Sequence, residues 1–453
     1  MAETADGNAL IRHVVLDFTQ MDSFAKDPFV VVQGEGLRIK DAQGKTYIDG
    51  LSGVFVVSLG HGNRRIVDAM TAQMQRLSFA PPLHGTNDRA LELAQLLFQF
   101  APPKLNTVKF LSGGSEATEA AMKLTRQYQQ QAGHPRRYKF IAKYGAYHGS
   151  TMGALSATGG WERKSVFEPL VPGFIHVHPP YCYRCPYGQQ YPSCGITCAR
   201  IVEKTIEAED PETVAGVIME PISISSAGFV VPPREFFAIL REVTAKHGIN
   251  LIFDEIICGF GRLGENFGAT YYGVVPEIIA CGKGMSSGYA PLAAILIADH
   301  VQEAFYGLPE ERVEFHHGHT YGGNPVACAA GIAVLSQIIE QNLVAHARTL
   351  GEYLRQRLEE MADRYLIVGD VRGAGLLQGM EFVKDRATRQ PFPAGVKPGK
   401  VVEKLAKERG LLARTGNEFL AFAPPLVSTK ADIDDICAIT NECLAIAQRQ
   451  LLG

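Results

Sequence analysis

Four short stretches of this 453-residue chain carry side chains equipped for chemistry. Ser112-Gly113-Gly114-Ser115-Glu116 follows a β-rich run and opens an amphipathic segment. Glycines let backbone approach a ligand, and a helix start offers free N–H groups and positive dipole, so the stretch reads as a phosphate cradle without a P-loop lysine. A plain turn with Ser115 as helix cap is the alternative. Asp254-Glu255 closes the apolar run Leu251-Ile252-Phe253 and puts a carboxylate at a strand end, where open α/β sheets bind ligands. The alternative is a capping or turn acid. Lys283 stands between Gly282 and Gly284 after another apolar run. There it can approach a planar ligand, and burial would lower its pKa and free its amine for attack. The usual fate of a lysine is a solvated loop. Tyr147-His148-Gly149 offers an aromatic face on a loop.

Cradle, aromatic plate, carboxylate and amine together are what pyridoxal phosphate requires. An amine bonds its aldehyde, a carboxylate keeps the pyridine nitrogen protonated, and a ring stacks on it. Three other motifs fail on context. Gly259, Gly261 and Gly264 spell the dinucleotide fingerprint, but the following ENFGATYYGVVP is poor helix material. Gly284-x-Ser286-x-Gly288 spells a nucleophile elbow, but a strand rather than a helix is predicted after it. Gly44-Lys45-Thr46 ends like a P-loop, yet Ile39 occupies the position of the first glycine.

The elements that must hold these groups follow from patterning. Residues 29–49 alternate apolar and polar around the turn Asp41-Ala42-Gln43-Gly44. Strands are predicted at 107–112, 138–143, 173–178, 214–220, 250–255, 277–283 and 292–298, with helices at 115–131 and 233–247 between them. Apolar strands separated by helices imply an α/β fold with a mostly parallel sheet. Four C-terminal helices, at 324–341, 343–362, 398–410 and 430–449, surround strands at 379–383 and 419–422. The expected division is 1–70 as the N-terminal part of a small α+β domain, 71–325 as the large domain, and 326–453 as the rest of the small one.

Composition bounds the partners. Charged residues are 20%, the net charge is -3, and hydrophobic residues are 46%, which argues against disorder and against nucleic acid or an anionic membrane. No apolar run approaches the ~18 residues of a membrane helix. The first residues lack a basic, then apolar, leader, so a cytoplasmic location is expected.

Seven segments carry a resemblance across nearly the whole chain: SGGSEATEA, YHG, MEP, IFDEIICGFGRLG, CGKGMSSGYAPLAA, HTYGGNPVACAA and LARTGNEFLAFAPPL. In order and spacing they resemble the class III pyridoxal-phosphate aminotransferases, the omega-aminotransferase group of fold type I. The resemblance implies that Lys283 is the Schiff-base lysine and proton shuttle, and that Asp254 partners the pyridine nitrogen. Tyr147 and Ile256 would take the two ring faces, with His148 adjoining. Gly114 and Ser115 would cradle the phosphate, and Glu220 would lie near the phenolic side. Thr320 would come from the second subunit of a homodimer or dimer of dimers, and Arg414 would bind the substrate carboxylate. Phe55 would form a pocket wall, and Phe79 and Leu83 would add to it, from the same or the neighbouring subunit.

In relatives that use 2-oxoglutarate with 4-aminobutyrate or ornithine, a second glutamate lies five residues after the one matching Glu220. Here that position is Ser225. The departure favours pyruvate, with an amine or omega-amino acid as donor. The rivals are 2-oxoglutarate as acceptor, or a mutase or decarboxylase on the same scaffold. Cys182, Cys185, Cys194 and Cys198 form an island outside this chemistry, open to structural zinc, to disulfides or to four free thiols. Cys258, Cys281, Cys328, Cys437 and Cys443 are expected as small buried hydrophobes.

Overall fold

A computed structural model describes residues 11–225 and 228–453, with Ser225 described in its backbone alone. The N-terminal alternation becomes an antiparallel meander of β1 (Val31–Glu35), β2 (Arg38–Asp41) and β3 (Thr46–Asp49). Asp41 Oδ1 accepts from the backbone N–H of Gln43 and of Lys45, which fixes the predicted turn. Lys45 donates to the carbonyls of Lys407 and Glu408, so Gly44-Lys45-Thr46 is a turn feeding a strand.

The seven predicted central strands form one sheet. They are β4 (Thr107–Leu111), β5 (Lys139–Lys143), β6 (Phe174–Val177), β7 (Val214–Met219) and, after the hairpin β8 (Ser223–Ser225) and β9 (Gly228–Val230), β10 (Asn250–Asp254), β11 (Ile278–Cys281) and β12 (Ala293–Ile297). Their order is β4-β12-β11-β10-β7-β5-β6. The pairs β11–β10, β10–β7, β7–β5 and β5–β6 are parallel, and β12 is antiparallel to both β11 and β4. Six strands therefore point one way with β12 reversed, and six C-terminal ends open on one edge.

Every residue of β7, β10, β11 and β12 is buried, as a sheet covered on both faces requires. Successive β10 residues enter opposite layers. Leu251 and Phe253 join Phe237 and Leu240 of the helix Phe236–Lys246, while Ile252 joins Ala117, Ala120 and Ala121 of the helix Gly114–Gln131. The alanines let that helix lie close on the sheet.

Two local expectations are corrected. The second covering helix begins at Phe236, and Pro233 stays in the turn before it, its carbonyl accepting from Phe236 N–H. The segment after Gly264 does hold a short helix, Gly268–Tyr272, because the buried Glu255 carboxylate accepts from Gly268 N–H and Ala269 N–H at 2.6 and 2.7 Å. A carboxylate distant in sequence thus caps a segment with little helix propensity of its own.

The C-terminal helices are Pro325–Glu340, Leu343–Arg364, Pro398–Glu408 and Lys430–Leu452. Among them lie β13 (Val368–Ala374), β14 (Leu377–Phe382), β15 (Leu411–Leu412), β16 (Arg414–Thr415) and β17 (Phe419–Phe422), with a sheet of order β13-β14-β17-β16. The expected strand at 379–383 is β14, and its partner β13 was not foreseen. β15 pairs in parallel with β3, as the fourth strand of the N-terminal sheet. Among the described residues no single helix is long and apolar enough to cross a membrane.

Phe253 is fully buried, its ring centroid 4.8 Å from that of Phe237. Phe253→Ala is expected to destabilise the protein by about 3–5 kcal/mol, and Phe253→Leu by under ~1.5 kcal/mol. Denaturant midpoints of the two variants measure both.

Candidate active site

The predicted groups gather at the open edge of the sheet. β4 leads through Ser112 and Gly113 into the helix beginning at Gly114. β5 ends at Lys143, just before Tyr147; β7 leads to Glu220; β10 ends at Asp254; and β11 leads through Gly282 to Lys283. The parallel register sets Asp254 opposite Ala280, so acid and amine leave adjacent strands at nearly the same level.

Lys283 adopts φ +43, a left-handed conformation uncommon outside glycine, asparagine and aspartate. Its Nζ is 5.4 Å from the ring centroid of Phe55, a buried residue at the end of the short helix Ser52–Phe55. Burial pushes the Lys283 amine down to about 8; Asp254 and Cys258 pull it up, and Arg414 pushes it further down. An amine so placed is free at pH values where an ordinary lysine is charged.

Asp254 is 5% exposed. Its Oδ2 lies 2.8 Å from His148 Nδ1, and its Oδ1 accepts from Ile256 N–H at 3.2 Å. His148 Nε2 is buried and has no hydrogen-bond partner among the described residues. The backbone of His148 is pinned at both ends: its carbonyl accepts from Thr118 Oγ1 and its N–H donates to Thr158 Oγ1. Glu255, one residue along, is spent on capping, and burial raises its pKa to about 8. Adjacent carboxylates on one strand thus have separate duties.

The cradle is built to leave space. A Cβ on Gly114 would come within 3.1–3.4 Å of the Ile256 side chain, and one on Gly149 (φ +138) would lie 2.5 Å from Ser115 Oγ. Glycine at 149 brings the Tyr147 loop onto the helix start, where Ser150 N–H donates to Ser115 Oγ at 3.0 Å. Glu220 Oε1 accepts from Tyr147 N–H at 3.0 Å, and Oε2 pairs with buried Lys143. Burial alone would raise the Glu220 pKa; Lys143 and His148 outweigh it and hold the carboxyl below its usual range. Lys143 was missed, although it carried the Lys283 signal, a lysine closing an apolar strand.

The remaining predicted residues lie farther out. Thr320 is exposed, and its neighbour His319 meets Ser112 Oγ at 2.8 Å. Phe79 packs edge-on to Tyr321 at 6.0 Å and is 39% exposed; Leu83 is 87% exposed. Arg414, on β16, stands near enough to Lys283 for its charge to act there. The side chain of Ser225 lies outside the described residues. This set fits pyridoxal phosphate. It has glycine space at a helix start, a buried acid, an amine depressed by burial, and a buried imidazole nitrogen with no hydrogen-bond partner among the described residues.

The failed motifs have structural uses. Gly261 and Gly264 take positive φ in a turn, with Gly264 packed against Arg348. Ser286 Oγ donates to the carbonyl of Ala290 in a turn that leads to β12. No disulfide joins any of the nine cysteines, and the five scattered ones are buried. The island's four line one cavity of about 20 Å³, room for a single water-sized guest. Burial, then Cys182 and Cys194, push Cys198 up to about 12. Tyr181 and Arg184 tie the island to Glu381 of β14.

Comparison with known proteins agrees with the fold and with a pyridoxal-phosphate enzyme. A family model described as aminotransferase class-III matches residues 21–444. The adenosylmethionine-8-amino-7-oxononanoate aminotransferase of Geobacter sulfurreducens is 38% identical, over 93% of this chain and 93% of its own. The putrescine–pyruvate aminotransferase of Pseudomonas aeruginosa is 33% identical over 98% and 96%. The solved structure of the omega transaminase from Pseudomonas jessenii in complex with PMP superposes with a TM-score of 0.95 at 33% identity, covering 100% of both chains.

In cofactor-free protein, amine labelling at Lys283 is expected to rise with pH and level off above about 8, since the lowered pKa leaves the amine protonated below that value and free above it. Trinitrophenylation rates, with Lys283→Met subtracted, measure this; a rise continuing toward 10.5 would contradict it.

Proposed function

Because this chain belongs to the class III aminotransferases, we propose that it moves an amino group from an amine or omega-amino acid to a keto acid, pyruvate ahead of 2-oxoglutarate. The enzyme depends on pyridoxal phosphate, as its family does. When bound, that group supplies the aldehyde that receives the amino group and a ring that accepts the electrons left on the donor carbon.

The chain's residues divide the rest of the work. Lys283 Nζ holds the cofactor at rest and takes the proton from the donor's reacting carbon. Asp254, oriented by His148, sets a negative charge against the ring nitrogen. Gly114 and Ser115 bind the phosphate at the helix start, joined by Thr320 of a second copy in a homodimer. Tyr147 and Ile256 hold the ring faces, and Glu220 stands on the phenolic side. Arg414 binds the keto acid's carboxylate, while Phe55, Phe79 and Leu83 bound the pocket.

One observation carries the reading: a buried amine with its pKa lowered to about 8 and a buried acid leave adjacent parallel strands together. Pyruvate is favoured because Arg414 has no carboxylate within salt-bridge distance among the described residues, and Ser225 stands where the switching glutamate would be. A relative is named for the same acceptor. We place the large domain at 71–325 and the small one at 1–70 with 326–453, a division supported by the β3–β15 pairing.

The test is spectroscopic. The holoenzyme should show a visible band that a donor bleaches and pyruvate restores. Turnover without any keto acid would instead favour a mutase or decarboxylase. Lys283→Ala should lower transamination by roughly 10³-fold or more. Arg414→Ala should raise the KM for pyruvate by about 10–100-fold, the worth of a charged hydrogen-bond pair. Equal loss in the donor half-reaction would remove Arg414 from acceptor binding.

A further inference from the structure

Four thiols ring one small cavity. Cys182, Cys185, Cys194 and Cys198 line the same space of about 20 Å³, and Pro179, Pro180 and Pro233 help to wall it. Two tight turns deliver them. Gly188 N–H donates to the Cys185 carbonyl at 3.0 Å, so the chain turns back after the pair Cys182-x-x-Cys185. Cys194 N–H donates to the Gln190 carbonyl at 3.0 Å, and Gly195 and Ile196, at φ +57 and +55, lead into the helix Thr197–Ala208. Cys198 then stands in the first turn of that twelve-residue helix, where the dipole favours a thiolate.

The stretch between β6 and that helix, residues 178–196, holds no regular helix or strand. Loops of that length are uncommon in compact folds without a reason for being there. Ile196 is its only aliphatic residue besides the prolines, so no apolar core of its own holds it. Its outer side grips the C-terminal part of the chain: Tyr181 and Arg184 bond Glu381 of β14, and Arg389 donates to the Tyr183 carbonyl at 2.6 Å. In small folds a single bound metal supplies the missing core. The cavity has room for one ion and not for an iron–sulfur cluster, and four thiolates around one ion suit zinc. As they stand, no three of the sulfurs lie within 4.8 Å of one another, and gathering them takes rotation about χ1, the torsion that carries a cysteine sulfur. Glu203, Glu207 and His247 do meet that spacing, but Glu203 is bonded to Lys246 at 2.6 Å and Glu207 to Lys204 at 2.8 Å.

We propose that Cys182, Cys185, Cys194 and Cys198 form a structural zinc site that folds residues 178–196 into a strap between β6 and β14. Binding replaces four S–H bonds by four Zn–S bonds and releases four protons to solvent, with no change of oxidation state. Four protein sulfurs close the coordination shell, so the ion has no open position for a substrate. The site stands apart from the aminotransferase reading, since its readout is metal and sulfur alone.

Metal analysis of the untagged holoenzyme tests it. As purified without chelator, or after incubation with zinc chloride, the protein should carry about one zinc per chain, with an X-ray absorption shell of four sulfurs at about 2.3 Å. The double variant Cys182→Ser/Cys185→Ser should hold about tenfold less zinc, and Glu203→Gln should hold as much as wild type. A mercurial titration of wild type needs no variant: zinc should leave as four thiols react. Trypsin cleavage after Arg184 should then speed up by about tenfold or more, because the strap has lost its core. Protein that neither carries nor takes up zinc overturns the site, and so do disulfides among the four cysteines found by mass. Iron in place of zinc overturns it too, as does a shell of nitrogen and oxygen such as Glu203, Glu207 and His247 would give. Zinc bound by four sulfurs whose removal leaves cleavage at Arg184 unchanged overturns the structural role.

Discussion

An amine has been carried into the protein interior at the end of an apolar strand, and the surrounding structure answers to that. Burial disfavours its charged form, and a lysine in left-handed backbone holds only where neighbours over-determine it. β11 before it and Gly284 and Met285 after it are buried and supply that constraint. The parallel pairing of β10 and β11 then delivers Asp254, whose charge partly offsets the cost of burying the amine, and Arg414 acts in the opposite direction. The balance leaves a base near neutrality rather than a fixed cation.

The same economy of carboxylates holds around the edge. Glu220 touches two elements at once, the side chain of Lys143 and the backbone of Tyr147, so the ends of β5 and β7 and the aromatic loop move as one piece. Removing Lys143 would leave a buried carboxylate short of its partner, a change far costlier than loss of a surface pair. His148 is fixed through its backbone by Thr118 and Thr158 before its ring meets Asp254. The site is therefore largely formed by the fold itself, which suits a cofactor that must meet acid, amine and cradle together.

Much of this was legible in the residues. The strands β7, β10 and β11 were nearly continuous apolar runs closed by a glycine or an acid, and the helix at 114–131 announced itself by alanines at helical spacing. What escaped depended on contacts across the chain. The helix Gly268–Tyr272 exists because Glu255 caps it, and no local pattern reports a cap from a residue thirteen positions earlier. Lys143 is a functional neighbour through its pairing with Glu220, which a strand-end lysine alone does not reveal. β13 was hidden because its seven residues include two glycines and two charges, and its identity comes from register with β14.

The pairing of β3 with β15 sets an order of events during synthesis. The N-terminal meander leaves the ribosome before its fourth strand, which lies more than 360 residues downstream, as does Asp435, the acid opposite Arg38. That sheet waits with the β3 edge unpaired while the residues between are made, a condition in which nascent chains are exposed to wrong pairing. Its closure is a late step, spanning a loop of more than 360 residues, and the slow phase of folding is expected there.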